Sequence, residues 1–170
     1  MATEPNRDAG RRPRLWHAPA RHRRPTVLNR PVLSLQEISD RLEIQQLLVD
    51  YSTAIDQRRF DDLDAVFTSD AYIDYRVTGG IDGHYPQVKA WLADVLPNFP
   101  AYSHMLGNFD LRIDGDTATA RTICFNPMVF NAEQKQIMFI GIWYEDVLVR
   151  TADGWRMTKR VEAKCFDKML

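Results

Sequence analysis

The sequence predicts an α+β fold, and three observations carry the prediction. Helical apolar stripes are confined to residues 34–97, long extended segments follow Ser103, and Asp114-Gly115-Asp116 and Asp153-Gly154 supply hairpin turns between the later segments. Helices gathered at the front and strands at the back give a layer in which a curved sheet wraps the helices.

Residues 1–33 hold five prolines and eight arginines, with scattered single apolar residues and no helical or strand period. Such a segment buries too little apolar surface to offset ordering entropy, so disorder is expected there. It reads either as an extension outside the fold or as a basic arm for an acidic partner. The domain is expected to be 34–170.

Ser34-Leu35-Gln36-Glu37 has the form of a capping box, and Asp40 with Glu43 offers a second helix start, so a kink or restart is expected between them. Ile44, Leu47, Leu48, Tyr51, Ala54 and Ile55 then form one apolar stripe, with Leu42 and Val49 on a second, narrower side. Phe60, Leu63, Val66 and Phe67 make a short second helix. Ala71 to Val77 reads as a strand ending in the Gly79-Gly80 turn. Pro86 sits where an N1 proline opens a third helix carrying Val88, Trp91, Leu92, Val95 and Leu96, and Pro97 and Pro100 stop it. The strands are expected at about 104–113, 117–130, 137–150 and 155–165, as an antiparallel meander.

Charge narrows the function. The net charge is −1, but residues 1–30 carry +6 and the remaining body −7, and a body repelled by phosphate is a poor nucleic-acid platform. The longest nearly unbroken apolar run, Ile137 to Tyr144, is far short of the roughly 20 residues of a membrane-spanning helix, so no membrane partner is expected. Cys124 and Cys165 have neither the number nor the spacing of a disulfide framework or zinc site, which fits a reducing, cytoplasmic compartment. The phosphate-loop, dinucleotide, zinc-protease and serine-hydrolase motifs are all absent. No metal and no cofactor is expected. Ile123, Phe125, Ile140 and Ile142 alternate along two strands of an open sheet whose outer face needs cover, so a homo-oligomer, trimer or dimer, is expected.

A few polar residues stand where packing alone would prefer something else. Asp56 ends the long helix, where the macrodipole disfavours a carboxylate by about 0.3–1 kcal/mol, so it needs a partner. Arg58, Arg59 or a capping amide could supply one, and so could an imidazole. His104 is the histidine that opens a long apolar strand, either as a structural residue or as a base. Tyr51, Tyr72, Tyr75, Tyr102 and Tyr144 are hydroxyl donors near helix or strand faces. Tyr72 and Tyr75 differ by an odd number, so at most one faces a cavity on the helix side. Asn108 and Asn126 are amides inside strand patterns that disfavour them, either at a bulge or lining a polar pocket.

The run Ile44-x-x-Leu47-x-x-x-Tyr51-x-x-x-x-Asp56, then Phe60-Asp61, Asp70-Ala71-Tyr72-Ile73-Asp74-Tyr75, Tyr102-Ser103-His104 and Asp153-Gly154-Trp155, resembles the SnoaL-like branch of the nuclear transport factor 2-like superfamily. The resemblance covers about Leu33 to Val161. It implies a cone-shaped barrel in which three N-terminal helices pack on a highly curved, mostly antiparallel sheet around a deep, mostly apolar pocket. Among its enzymes, scytalone dehydratase, bile-acid 7α-dehydratase and hexachlorocyclohexane dehydrochlorinase carry an Asp–His pair in the cone, which Asp56 and His104 match. Tyr75 resembles a tyrosine of scytalone dehydratase that helps hold a water against the substrate carbonyl. Tyr51 resembles the catalytic tyrosine of the bile-acid enzyme. Scytalone dehydratase has a second tyrosine where this chain has Ile55, and a second histidine near Pro127-Met128, so scytalone is not the expected substrate.

The resemblance implies a cofactor-free lyase, a dehydratase acting on an apolar cyclic or polycyclic small molecule. Asp56, His104, Tyr51 and Tyr75 are its expected catalytic residues, and Asn108, Asn126, Trp143 and Tyr144 its expected substrate-binding residues. An isomerase of the ketosteroid type, a polyketide cyclase, or a non-catalytic binding or oligomerising module are the other functions the same cone could serve.

Overall fold

A computed structural model of the chain describes residues 32–131, 133 and 136–170. The expectation for residues 1–33 lies almost wholly outside the described residues, and the elements all belong to the unit Leu33–Leu170.

The first helix, α1, spans Leu35–Asp56. The Ser34 hydroxyl accepts from the Glu37 amide at 3.1 Å, closing the N-terminal half of the predicted capping box. No restart occurs at Asp40. Its carboxylate is instead buried among three side chains, accepting from Arg150 at 2.7 Å, Gln36 Nε2 at 3.0 Å and Trp155 Nε1 at 3.3 Å. Burial raises this carboxyl, but those hydrogen bonds hold it below the usual carboxylate range. The side of α1 at Ile44, Leu47, Leu48, Tyr51, Ala54 and Ile55 is buried, whereas Leu42 and Val49 are exposed.

The second helix is a 3₁₀ turn at Phe60–Ala65, and β1 begins directly after it as Phe67–Asp74 rather than at Ala71. Phe67 is drawn into the sheet by pairing with the last strand, where Met157 N–H donates to the Val66 carbonyl at 2.9 Å. After β2 (Asp82–His84), helix α2 spans Tyr85–Val95 with Pro86 in its first turn, and Leu96–Asn98 tightens into 3₁₀ form at Pro97. The remaining strands are β3 (Ala101–Tyr102), β4 (Met105–Asp114), β5 (Thr117–Asn131), β6 (Gln136–Thr151) and β7 (Gly154–Met169).

The sheet order is β2-β1-β7-β6-β5-β3, with β4 also pairing β5. All neighbours are antiparallel except β1 and β7. The long strands curl around α1 and α2 without closing, an α+β cone. On β5 the even positions Thr122, Cys124, Asn126 and Met128 are buried inward, and on β6 so are Ile140, Ile142, Tyr144, Asp146 and Leu148. Ile123 and Phe125 face outward, so of the four residues expected to alternate across the sheet, only these two belong to the outer face. There Phe125 stacks on Phe139 at 5.8 Å between centroids, and Phe166 lies over Gly141, where a Cβ would come within 2.3 Å of its ring. No helix among the described residues is long and apolar enough to cross a membrane.

Candidate active site

Asp56 is the last residue of α1 and His104 lies in the two-residue break between β3 and β4, which both pair with β5. At that break the His104 backbone N–H turns away from the sheet and donates to Asp56 Oδ2 at 2.9 Å. Its ring Nδ1 lies 2.6 Å from Asp56 Oδ1. These two donors offset the unfavourable helix-end position of the carboxylate. Arg58 and Arg59 are engaged elsewhere, Arg58 donating to the Phe99 carbonyl at 2.7 Å and Arg59 pairing with Asp62 at 2.9 Å.

A carboxylate can only accept, so Nδ1 of His104 carries the hydrogen and Nε2 of the neutral ring carries a lone pair. Asn126 Nδ2 lies 2.8 Å from that Nε2 and is oriented as its donor. The amide oxygen of Asn126 is buried with no hydrogen-bond partner among the described residues. Asp56, His104 and Asn126 therefore form one chain of hydrogen bonds, and its inner end opens on a cavity.

The cavity has a volume of about 150 Å³ and is walled mainly by apolar side chains, among them Ile55, Trp91, Leu92, Met128, Ile140 and Ile142. Gly80 lets α2 approach here, since a Cβ would come within 2.9 Å of both Trp91 and Tyr75. Polar groups enter at few points: His104, Asn126, Tyr51, Tyr75, Tyr144, Thr78 and Glu162. The Tyr51 and Tyr75 hydroxyls are 2.8 Å apart and buried. One donates to the other, which leaves one hydrogen of the two for a bound molecule. Burial pushes Tyr51 up to about 12 and Tyr75 and Tyr144 well above their ordinary value, so all three remain hydroxyls at neutral pH.

Behind these rings lies Arg160, fully buried, with its guanidinium 4.0 Å from the ring centroids of both Tyr51 and Tyr144. It makes a bidentate pair with the equally buried Asp146, at 2.7 and 2.8 Å, while its Nη1 has no partner among the described residues. The pairing with Asp146 and the tyrosines around it hold Arg160 firmly charged against the cost of burial. Burial pushes the Cys124 thiol, in the core, up to about 12, so it is an unreactive thiol. Among the described residues no group of three or more His, Cys, Asp or Glu side chains is arranged to hold a metal ion.

Of the expected site residues, the structure brings His104, Tyr51, Tyr75, Asn126 and Tyr144 to one cavity, with Asp56 behind the imidazole. Tyr72 lies on β1 and donates to Asp82 of the neighbouring edge strand β2 at 2.6 Å, outside the cavity lining, so Tyr75 is the cavity-facing member of that pair. Two expectations need correction. Asn108 is exposed at φ 48° on a β4 bulge, where the irregular backbone rather than a ligand accounts for the amide. Trp143 falls between the inward Ile142 and Tyr144, so its ring is on the outer face beneath Arg121, 4.0 Å from the guanidinium.

Sequence reasoning missed Arg160, Asp146 and Glu162. Asp146 was legible, because strict alternation from Ile140 through Leu148 places it inward. Arg160 and Glu162 were not: counting by twos from Trp155 and Met157 points 159 and 161 inward, and a register shift between Met157 and Lys159 reverses that parity.

Residues 36–161 match the SnoaL-like domain family. The uncharacterised protein Rv2910c of Mycobacterium tuberculosis (strain ATCC 25618 / H37Rv) is 69% identical over 144 residues, covering 85% of this chain and 98% of its own. Among solved structures, the protein Kfla4162 of Kribbella flavida is 26% identical with a TM-score of 0.71, covering 77% of this chain and 94% of its own. The hexachlorocyclohexane dehydrochlorinase LinA-type3 of Novosphingobium barchaimii LL02 is 20% identical with a TM-score of 0.69, covering 80% and 93%.

Proposed function

The chain belongs to the SnoaL-like domain family, and on that footing we propose that it is a cofactor-free lyase that removes water from a small cyclic molecule by His–Asp general-base chemistry. The observation that carries the reading is the hydrogen-bond chain Asp56–His104–Asn126 ending on an apolar cavity. His104 Nε2 takes a proton from carbon beside a carbonyl or similar group. Asp56 holds the tautomer and stabilises the imidazolium, as the carboxylate does in a hydrolase triad. General-base action of this kind contributes about 10²–10⁴ in rate. Because the Asn126 amide occupies Nε2, substrate must take its place, and the same amide reversed presents its oxygen to the imidazolium. The free hydroxyl hydrogen of the Tyr51–Tyr75 pair serves the developing enolate oxygen, where losing one such donor typically costs about 3–4 kcal/mol. Arg160 behind the rings favours negative charge in front of them.

Size selects the substrate. The cavity is open on one side, and its volume of about 150 Å³ is that of a space that holds a benzene-sized molecule. A single six-membered ring fits, and a fused polycycle would extend through the mouth.

The test is turnover of a panel of cyclic β-hydroxy ketones followed by mass spectrometry, with His104→Ala and Asp56→Asn as controls. The reading expects a product lighter by one water from the unmodified protein and loss of at least 10²-fold in both variants. A product of unchanged mass would replace elimination with isomerisation, and undiminished turnover in both variants would remove the pair from the mechanism. We further propose that the outer aromatic patch of Phe125, Phe139 and Phe166 is covered by another copy of the chain. Light scattering of Phe125→Lys should then give a smaller particle than the unmodified protein.

A further inference from the structure

Glu162 is a titratable group in the cavity that the chemistry above does not use. It lies on β7 and lines the cavity together with Thr78, from the turn that follows β1. Asn126 and His104 enter from the β5 and β3 side, and the curled sheet runs between through Ile140, Ile142 and Tyr144 of β6. Glu162 pairs with Tyr144, and Tyr144 with Thr122, four residues before Asn126 on the same face. On a flat sheet this separates the Asn126 and Glu162 Cα atoms by roughly 16 Å. The curl brings both side chains to the lining of the same cavity.

The surroundings of Glu162 suit a carboxylic acid better than a carboxylate. An ionised carboxylate has about four lone-pair sites to satisfy. Among the described residues Glu162 makes a single hydrogen bond, to the Thr78 hydroxyl at 2.6 Å. Arg160, two residues earlier on the strand, makes its bidentate pair with Asp146 and no hydrogen bond to Glu162 among the described residues. With the carboxyl protonated, Thr78 can accept its hydrogen and pass its own to the Tyr75 carbonyl, 3.0 Å away. The other titratable or charged groups facing it are Asp74 from β1, Tyr75 after β1, Tyr51 from α1, Cys124 from β5 and Tyr144 from β6. Burial pushes Glu162 up to about 7, against the Thr78 hydroxyl and Arg160, which pull it down, while Asp74 adds to the rise.

We infer that Glu162 is the general acid of this cavity, giving its proton to the departing oxygen while His104 removes the carbon-bound proton from the other side. The inference rests on the elimination reading and completes its proton balance. His104 Nε2 takes the proton from carbon, the C–H electron pair becomes the new C=C bond, and the C–O bond breaks with its pair on oxygen. That oxygen takes the Glu162 proton and leaves as water. The imidazolium then returns a proton to the Glu162 carboxylate through water, restoring both groups. Without a proton donor, hydroxide would have to depart into an apolar cavity; a carboxylic acid at Glu162 supplies the proton without waiting for the imidazolium to form.

Two measurements on the full chain test this. The first is a ¹³C-carboxyl glutamate NMR titration of the unmodified protein and of Glu162→Gln, a substitution of equal size. One glutamate should titrate near pH 7, and its signal should be missing in the variant; a Glu162 signal in the ordinary carboxylate range would overturn the inference. The second compares elimination from 3-hydroxycyclohexanone and 3-chlorocyclohexanone. Chloride leaves without a proton, so Glu162→Gln should lower the ratio of water loss to chloride loss by about 10²-fold, whereas His104→Ala should depress both losses. An unchanged ratio would overturn the acid role. If the unmodified protein turns over neither compound, the elimination reading fails, and the titration still decides whether Glu162 carries a proton.

Discussion

Replacing Asp56 by Asn tests the site without any substrate. In the native arrangement Asp56 Oδ1 sits 2.6 Å from His104 Nδ1 and Oδ2 accepts from the His104 backbone N–H at 2.9 Å. Asparagine has one acceptor and one donor. Keeping its oxygen on the backbone N–H turns its NH₂ toward Nδ1, so the ring hydrogen must move to Nε2. That nitrogen then faces the Asn126 NH₂, 2.8 Å away, and Asn126 must reverse to present its oxygen. The imidazole loses a charge-assisted hydrogen bond, worth about 1.5–3 kcal/mol, and its basic nitrogen is blocked. Turnover should fall by at least 10²-fold, toward the roughly 10⁴ seen when the equivalent change reverses the tautomer in a hydrolase triad. The assay is ¹⁵N–¹H correlation of the histidine side chains at about pH 8, where an ordinary imidazole is neutral. His104 should show hydrogen on Nδ1 in the unmodified protein and on Nε2 in the variant. Hydrogen on Nε2 in the unmodified protein, or an identical pattern in both, would refute the tautomer argument and with it the base assignment.

The cavity floor and the hydroxyl pair give further expected outcomes. Tyr51→Phe and Tyr75→Phe should each cost about 1–3 kcal/mol in urea denaturation by leaving a buried hydroxyl unpaired, and the double variant should cost less than their sum. Strict additivity would mean that the 2.8 Å contact carries no coupling. Asp146→Ala strands a fully buried guanidinium and should cost about 3–5 kcal/mol, measured in the same way; a loss under about 1 kcal/mol would show that Arg160 finds compensation elsewhere. Glu162 is raised to about 7 in the folded chain against about 4.3 unfolded, so the folded state holds the extra proton between those values. Its contribution is therefore complete below about pH 4.3 and lost as pH rises through about 7, on the order of 4 kcal/mol in all. Glu162→Gln should flatten that descent in a pH series of denaturation midpoints, and an equally steep descent in the variant would place its origin in another group.

Elements with local signals could be read from the chain alone. Ser34 and Glu37 marked the start of α1, Pro86 the start of α2, and alternation with Asp-Gly turns marked the four long strands to within a few residues. The same reading singled out Asp56, as a carboxylate at the wrong end of a helix, and His104, at the entry to an apolar strand. Features that depend on register, or on partners distant in the chain, waited for the folded arrangement. Asp40 looked like a helix start because the guanidinium and indole that bury it come from β6 and β7. Arg160 and Glu162 looked outward because a one-residue slip on β7 reverses every later side chain, and no local preference announces such a slip. The meeting of Asp56 and His104, 48 residues apart, required the sheet to curl until the break between β3 and β4 reached the end of α1. A chain can state which groups are out of place, but only packing decides which of them meet.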